Sequence, residues 1–156
     1  MGCAAVSYTL LPATEADARE LAPLLRAPDR AEVLALGVDT VEGLLTSLRS
    51  SQEAYTARAA DGRIICMAGV SPATLTGPTG VPWLLGSDLV PVYRRPFMVE
   101  TRAMIARWLT IFPVLRNVVD ARYEAAVRWL RWLGLTLGEP LPIGRGMFRV
   151  ASKEAA

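Results

Sequence analysis

Leu89-Val90-Pro91-Val92-Tyr93-Arg94-Arg95-Pro96 is where the chain changes its period. Before it, Trp83 to Val90 is a short, mostly apolar run bounded by turn residues, the pattern of a buried strand. After Pro96, Thr101, Ile105, Trp108 and Phe112 recur on one face of a long helix, and Pro113 stops it. A strand that hands over to a helix through a basic, proline-bearing corner is one βα unit.

Downstream, Val114 to Asp120 reads as another short strand and Tyr123 to Leu133 as a helix ended by Gly134. Leu135 to Leu137 and Met147 to Val150 are the last strands. Upstream, Ser71 to Pro82 reads as a loop, and Glu53 to Ala59 with Arg63 to Val70 as a hairpin turning at Asp61-Gly62. Val41, Leu44, Leu45 and Leu48 set a helix starting at Asp39 or Thr40, and Pro28 to Asp39 reads as a connector with one short helical turn. Thr14 opens the first helix with Asp17 in capping-box position, and Pro23 should kink or split it. Val6 to Leu11 is the first strand. The order β-α-α-β-β-β-α-β-α-β-β predicts a single α/β (α+β) domain over residues 1–156. Its mixed sheet should have about six to seven strands, with about four helices on both faces.

Composition narrows the chemistry. The chain has 156 residues, 52% hydrophobic and 21% charged, enough for one domain with its own core and too apolar for disorder. Histidine is absent, which removes His general bases, Ser-His-Asp and Cys-His systems and most catalytic zinc sites. Cys3 and Cys66 make no disulfide framework and no metal cluster, so no metal is expected, and Cys66 reads as an inert core thiol. Seventeen basic against 15 acidic residues leave +2, which is no nucleic-acid signature. No apolar run reaches the ~18 residues of a membrane span. The N-terminus lacks a signal sequence, and Met1-Gly2-Cys3 is followed by Val6 where an acylation motif has a hydroxyl. The expectation is a soluble intracellular protein.

Three stretches resemble the GCN5-related N-acetyltransferase (GNAT) fold over nearly the whole chain. Pro12-Ala13-Thr14-Glu15-Ala16-Asp17 is similar to the family's polar-Ala-Thr-x-x-Asp step into the first helix, with Pro12 in place of Arg. Val90-Pro91-Val92-Tyr93-Arg94, with Leu89, is similar to V-x-P-x-Y-R at the end of the fourth strand. Tyr123, Ala126, Leu130, Gly134 and Leu135 keep the spacing of N-x-x-A-x-x-x-Y-x-x-x-G-F without its polar residues. Within the fold, one branch looks similar: small GNAT-like proteins of short-tailed bacteriophages, associated with virion assembly or the virion interior. Trp83 to Asp88, Leu115 with Asn117, Val118 and Val119, the run Val127-Arg128-Trp129-Leu130 with Leu133 and Gly134, and Gly146-Met147-Phe148-Arg149-Val150 carry that likeness.

The resemblance implies a coenzyme A site at Val90, Tyr93, Arg94, Arg95, Phe97 and Arg102. In the family a glycine-rich loop there aims backbone N–H groups and a helix N-terminus at the pyrophosphate. Here the glycine positions hold Arg95, Phe97 and Val99, and Pro96 offers no N–H. Two or three lost hydrogen bonds to a charged group cost roughly 3–9 kcal/mol, against about 8 kcal/mol for a micromolar ligand. Arg94, Arg95 and Arg102 are the available compensation.

The family's general acid, a tyrosine, falls on Leu130, and Tyr123 stands about two turns earlier as the candidate substitute. Asp88 is the candidate base, with Glu53, Glu100 and Asp120 as others, and a polar strand end is its plain structural reading. Trp129, Trp132 and Arg128 compose a candidate partner-binding face, or else rings that cover the sheet edge and the neighbouring helix. Two functions follow. One is a phage virion or assembly protein on a degenerate acetyl-CoA site, working in the bacterial cytoplasm or in the virion through other virion proteins or self-association. The other is an acyl-CoA-dependent N-acetyltransferase with an unorthodox pyrophosphate site.

Overall fold

A computed structural model describes residues 7–156. Val6, where the first strand was expected to begin, and the Met1-Gly2-Cys3 start lie outside the described residues. The elements are β1 (Tyr8–Pro12), α1 (Glu15–Leu21), α2 (Ala27–Ala35), α3 (Thr40–Ser50), β2 (Glu53–Ala59), β3 (Ile64–Pro72) and β4 (Thr79–Gly86). They continue with α4 (Arg94–Ile111), β5 (Val114–Asp120), α5 (Glu124–Trp132), β6 (Thr136–Leu137), β7 (Leu141–Ile143) and β8 (Gly146–Glu154). One sheet of eight strands runs β1-β2-β3-β4-β5-β8-β6, with β7 also on β8. Every pairing is antiparallel except that between β4 and β5.

Local chemistry sets most boundaries. Thr14 caps α1 as expected, accepting from the Asp17 N–H while Asp17 accepts from the Thr14 N–H. Pro23 then forces a short 3-10 turn over Ala22–Leu24. Asp39 caps α3 through the N–H groups of Val41 and Glu42. Gly62 closes the β2–β3 turn at φ +88° and Gly134 ends α5 at φ +90°, both in the region that favours glycine.

Four boundaries differ from the expectation. The stretch from Pro28 is a nine-residue helix, α2, rather than a connector, because Pro28 sits in its first turn, where a missing N–H costs nothing. β4 starts at Thr79 inside the expected loop and ends at Gly86, so Val90 belongs to the following turn. α4 begins at Arg94, with Pro96 in its first turn. β7 was not anticipated; its Pro142 is tolerated on an edge strand.

The helices divide between the faces. Leu21 of α1 and Leu44 and Leu45 of α3 pack with Met67 and Leu85 on one side. Ile105, Trp108 and Phe112, flush along α4 as expected, pack on the other side with Leu115, Leu133 and Ala151. Val90 and Tyr93 close the sheet end against Ile65 and Cys66. Among the described residues no helix is long and apolar enough to cross a membrane.

Candidate active site

β4 and β5 pair only at Thr79–Val114 and Gly80–Leu115, then splay apart. Pro82 stands where the pairing stops; it has no N–H to offer β5, so it is harmless only on an open seam. The seam's backbone groups can be accounted for one by one. Asn117 bridges its narrow end, its Nδ2 donating to the Pro82 carbonyl at 2.7 Å and its Oδ1 accepting from the Val118 N–H at 2.7 Å.

The wide end is closed by α2. Asp29 and Glu32 lie one turn apart on that helix and reach different strands. Asp29 Oδ2 accepts the Gly86 N–H at 2.7 Å, and Glu32 Oε2 accepts the Asp120 N–H at 2.9 Å. The Arg26 N–H meets the Gly86 carbonyl at 2.9 Å. Between these closures lies Leu84. Residues two apart on a strand point their N–H and C=O the same way, so Leu84 aims both groups into the seam, level with Pro82 and Gly86. The pairing of β4 with β5 has ended by this level.

The seam opens into a cavity of about 640 Å³ between α4 and α5. Its walls are mostly apolar, with Arg26, Asp29, Glu32, Arg94, Tyr123 and Arg128 as the charged or acidic exceptions. Glu32 is the unusual one. Asp29 is bound by the Arg26 guanidinium at 2.8 Å, and Asp120 by Arg122 at 2.7 Å. Glu32 has no ion-pair partner among the described residues. Burial, and next the charges of Asp29 and Asp120, push its carboxyl up from 4.5 to about 7, against the opposing pull of the Asp120 N–H. Tyr123, at the N-cap of α5, is pushed up to about 12 by burial and then by the charge of Asp29.

The expected site residues divide. Val90, Arg94, Phe97 and Tyr123 line the cavity, and so does Leu130. Tyr93 caps α4 from within the core. Arg95 is exposed and lies off the cavity wall. Arg102 is also exposed, with its guanidinium 4.3 Å over the Trp132 ring. Asp88 lies in an exposed turn beyond the end of β4 and does not line the cavity.

The other expected bases are engaged: Glu53 holds Arg107 and Trp108, Glu100 accepts from Tyr8, and Asp120 holds Arg122. Cys66 is buried, and burial pushes its thiol up to about 12. The expected partner face is split. Trp132 is 41% exposed, and Arg128 is exposed with its guanidinium 3.9 Å from Glu124. Trp129 turns inward instead, its ring centroid 5.4 Å from that of Phe97 and its Nε1 3.3 Å from Thr101 Oγ1.

Sequence reasoning missed Arg26, Asp29 and Glu32, because the helix that carries them was read as a connector. The signal was present: proline just inside a start and an acid in the first turn is how helices begin.

No family model and no curated protein matches the sequence. Solved structures do match. A GCN5-related N-acetyltransferase from Kribbella flavida superposes with TM-score 0.68 at 14% identity, covering 95% of this chain and 98% of that one. An N-acetyltransferase from Staphylococcus aureus Mu50 gives TM-score 0.68 at 10% identity, over 95% and 98%. An aminoglycoside acetyltransferase solved with coenzyme A gives TM-score 0.67 at 17% identity, over 95% of each chain. The chain therefore carries the GCN5-related N-acetyltransferase fold.

Proposed function

We propose that the protein is an acyl-coenzyme A-dependent N-acyltransferase. The observation that carries this reading is the open seam at Leu84, where β4 has parted from β5 and lines a mostly apolar cavity. A strand edge that parts from its neighbour over a cavity is matched by an amide-bearing extended ligand, and the pantetheine arm of coenzyme A is one.

The phosphate end fits less closely. The first turn of α4 has N–H groups at Arg94 and Arg95 but none at Pro96. Arg94 and Arg128 line the cavity and supply positive charge from side chains instead of a glycine loop. When bound, the cofactor supplies an acyl thioester for transfer to an amine.

The protein's own residues do the rest. Leu84 offers its N–H and C=O to the pantetheine amide. Glu32, with a carboxyl near 7, is the proton acceptor suited to an amine at neutral pH. Tyr123 keeps its proton at neutral pH and is a donor on the same cleft wall, in the place that Leu130 cannot fill. Asp29 and Arg26 hold the end of β4 and so set where Glu32 stands.

The virion-assembly reading is the weaker one. Its anchor Trp129 is used in packing against α4, and the three proteins named above are acetyltransferases. Calorimetric titration with coenzyme A and acetyl-CoA tests the proposal. Saturable binding near micromolar is expected, equivalent to about −8 kcal/mol. No heat and no thermal shift at millimolar ligand would refute it.

A further inference from the structure

The two halves of the site suit different ligands. The open seam suits a pantetheine arm, but the corner that would receive the phosphates of coenzyme A offers few donors. In the first turn of α4 Pro96 has no N–H, and the Phe97 N–H is spent on the Tyr93 carbonyl at 2.9 Å. That leaves the N–H groups of Arg94 and Arg95. Coenzyme A brings a pyrophosphate and a 3′-phosphate, about four negative charges. The positive charge that could answer them is spread out. Arg94 and Arg128 reach the cavity wall from different helices, and Arg95 and Arg102 lie about 10 Å apart along α4.

That spread has its own pattern. Arg95, Val99, Arg102 and Ala106 share one exposed face of α4. Arg102 joins this face to α5, its guanidinium lying 4.3 Å over the Trp132 ring. Val92 and Val99 are 63% and 70% exposed among these arginines. The only acids on the two helices are Glu100, which accepts from Tyr8, and Glu124, beside Arg128. The cavity mouth is therefore bordered by a basic face carrying exposed apolar side chains, and arginine with tryptophan is the composition of a protein-binding surface.

We infer that this face docks a small acidic carrier protein, which delivers the acyl thioester on a phosphopantetheine arm. The inference rests on the pantetheine seam of the reading above and names what bears the arm. Such an arm joins its carrier through a single phosphodiester with a single charge, a match for two N–H groups and the Arg94 side chain. The remaining negative charge lies across the carrier's surface, opposite the dispersed arginines. The chemistry at the thioester is unchanged. The amine nitrogen forms the amide bond and its proton goes to Glu32. The carbon–sulfur bond breaks, and the arm's thiolate takes a proton from Tyr123.

The test is calorimetric titration of the whole protein with coenzyme A and with a purified bacterial acyl carrier protein. The carrier is used both in its apo form and in its holo form, which has phosphopantetheine on its serine. The holo form should bind at least about tenfold tighter than the apo form, and tighter than coenzyme A by a similar factor. Its affinity should fall at least about tenfold between about 50 and 300 mM salt. Val99→Glu and Arg102→Glu alter exposed positions that do not line the cavity. Each should weaken the holo carrier at least about tenfold and coenzyme A less than about threefold. A holo carrier that binds no tighter than the apo form or than coenzyme A, or that is indifferent to both substitutions, would overturn the carrier inference. Coenzyme A binding in that same experiment would leave the cofactor reading standing. Holo-carrier binding without coenzyme A binding would support the inference and overturn coenzyme A as the donor. No binding by either would overturn both.

Discussion

Glu32→Gln should make the protein more stable and less active, and the gain in stability should depend on pH. The Glu32 carboxyl is pushed from 4.5 to about 7 in the folded state, chiefly by burial. A carboxyl with a raised folded pKa is protonated in both states below the unfolded value, so it costs nothing there. Between the two values the folded state binds more protons than the unfolded state, and stability falls as pH rises. Above the folded value the cost is constant. A displacement of about 2.5 units at 1.36 kcal/mol each makes it about 3 kcal/mol.

Gln is an uncharged isostere whose carbonyl can still accept the Asp120 N–H, so it removes that cost without opening a gap. Urea unfolding at about pH 8 should show Glu32→Gln more stable by about 3 kcal/mol, roughly 6–12 °C in Tm for a chain of this size. At about pH 4.5 the two proteins should converge. Carboxylates with lowered values, such as Asp17 and Asp120, destabilise both proteins alike below that pH and cancel in the difference. With a base removed, amine acylation should fall by about 10²–10⁴. A stability difference that is the same at both pH values, or absent at both, would refute the burial of an unpaired charge at Glu32.

Four further outcomes are expected. Thr14→Ala removes one half of the α1 capping box and should cost about 1 kcal/mol in urea unfolding. Asn117→Ala strips the partner from the Pro82 carbonyl and from the Val118 N–H; it should cost about 1–3 kcal/mol and weaken coenzyme A binding at the seam it bridges. Trp129→Ala should destabilise by about 3 kcal/mol through lost packing on Phe97, whereas Trp132→Ala should lose only the Arg102 contact, about 0.5–1 kcal/mol. Chemical denaturation of the pair separates a packing residue from a surface one. Gly69→Ala places a Cβ 2.7 Å from the Glu53 carbonyl and 2.8 Å from Trp83 Nε1, so it should cost about 1–3 kcal/mol, read as a lowered urea midpoint.

What the sequence made legible was the scaffold, where local signals and tertiary packing agree. The Thr14 capping box, the Asp61-Gly62 turn, the Thr101-Ile105-Trp108-Phe112 stripe and Gly134 each have a short-range physical cause, and each is found in the structure. The acid cluster was not legible for the same kind of reason. Pro28 reads as a breaker unless it is placed within the first turn of a helix, and without that helix Asp29 and Glu32 have no common face. Asp88 looked like a strand residue because the apolar run from Trp83 has no internal stop; the bridge between Ser87 and Leu25 and the following turn leave it on the surface.

Pro82 carries the most general lesson, since the sequence taken alone argues for the wrong element. A proline in a strand between two neighbours should break the ladder on one side. β4 does have two neighbours, and Pro82 does break one ladder: the pairing with β5 ends just before it. Read as a loop residue, it hides the first half of β4. Read as a strand residue without an N–H, it locates the fork. The next residue on the same side, Leu84, is then the first with both a donor and an acceptor for which the neighbouring strand has moved away. Pro82 therefore marks the fork rather than making it, and Leu84 just beyond it offers the polar contact a ligand can use. If that is its role, Pro82→Ala should leave the fork where it is, because the splay is also held by Asn117 at one end and by α2 at the other. Binding of coenzyme A should then change by less than about threefold, worth under about 0.7 kcal/mol. A larger loss, with the fold intact, would mean that the proline opens the seam rather than merely fitting into it.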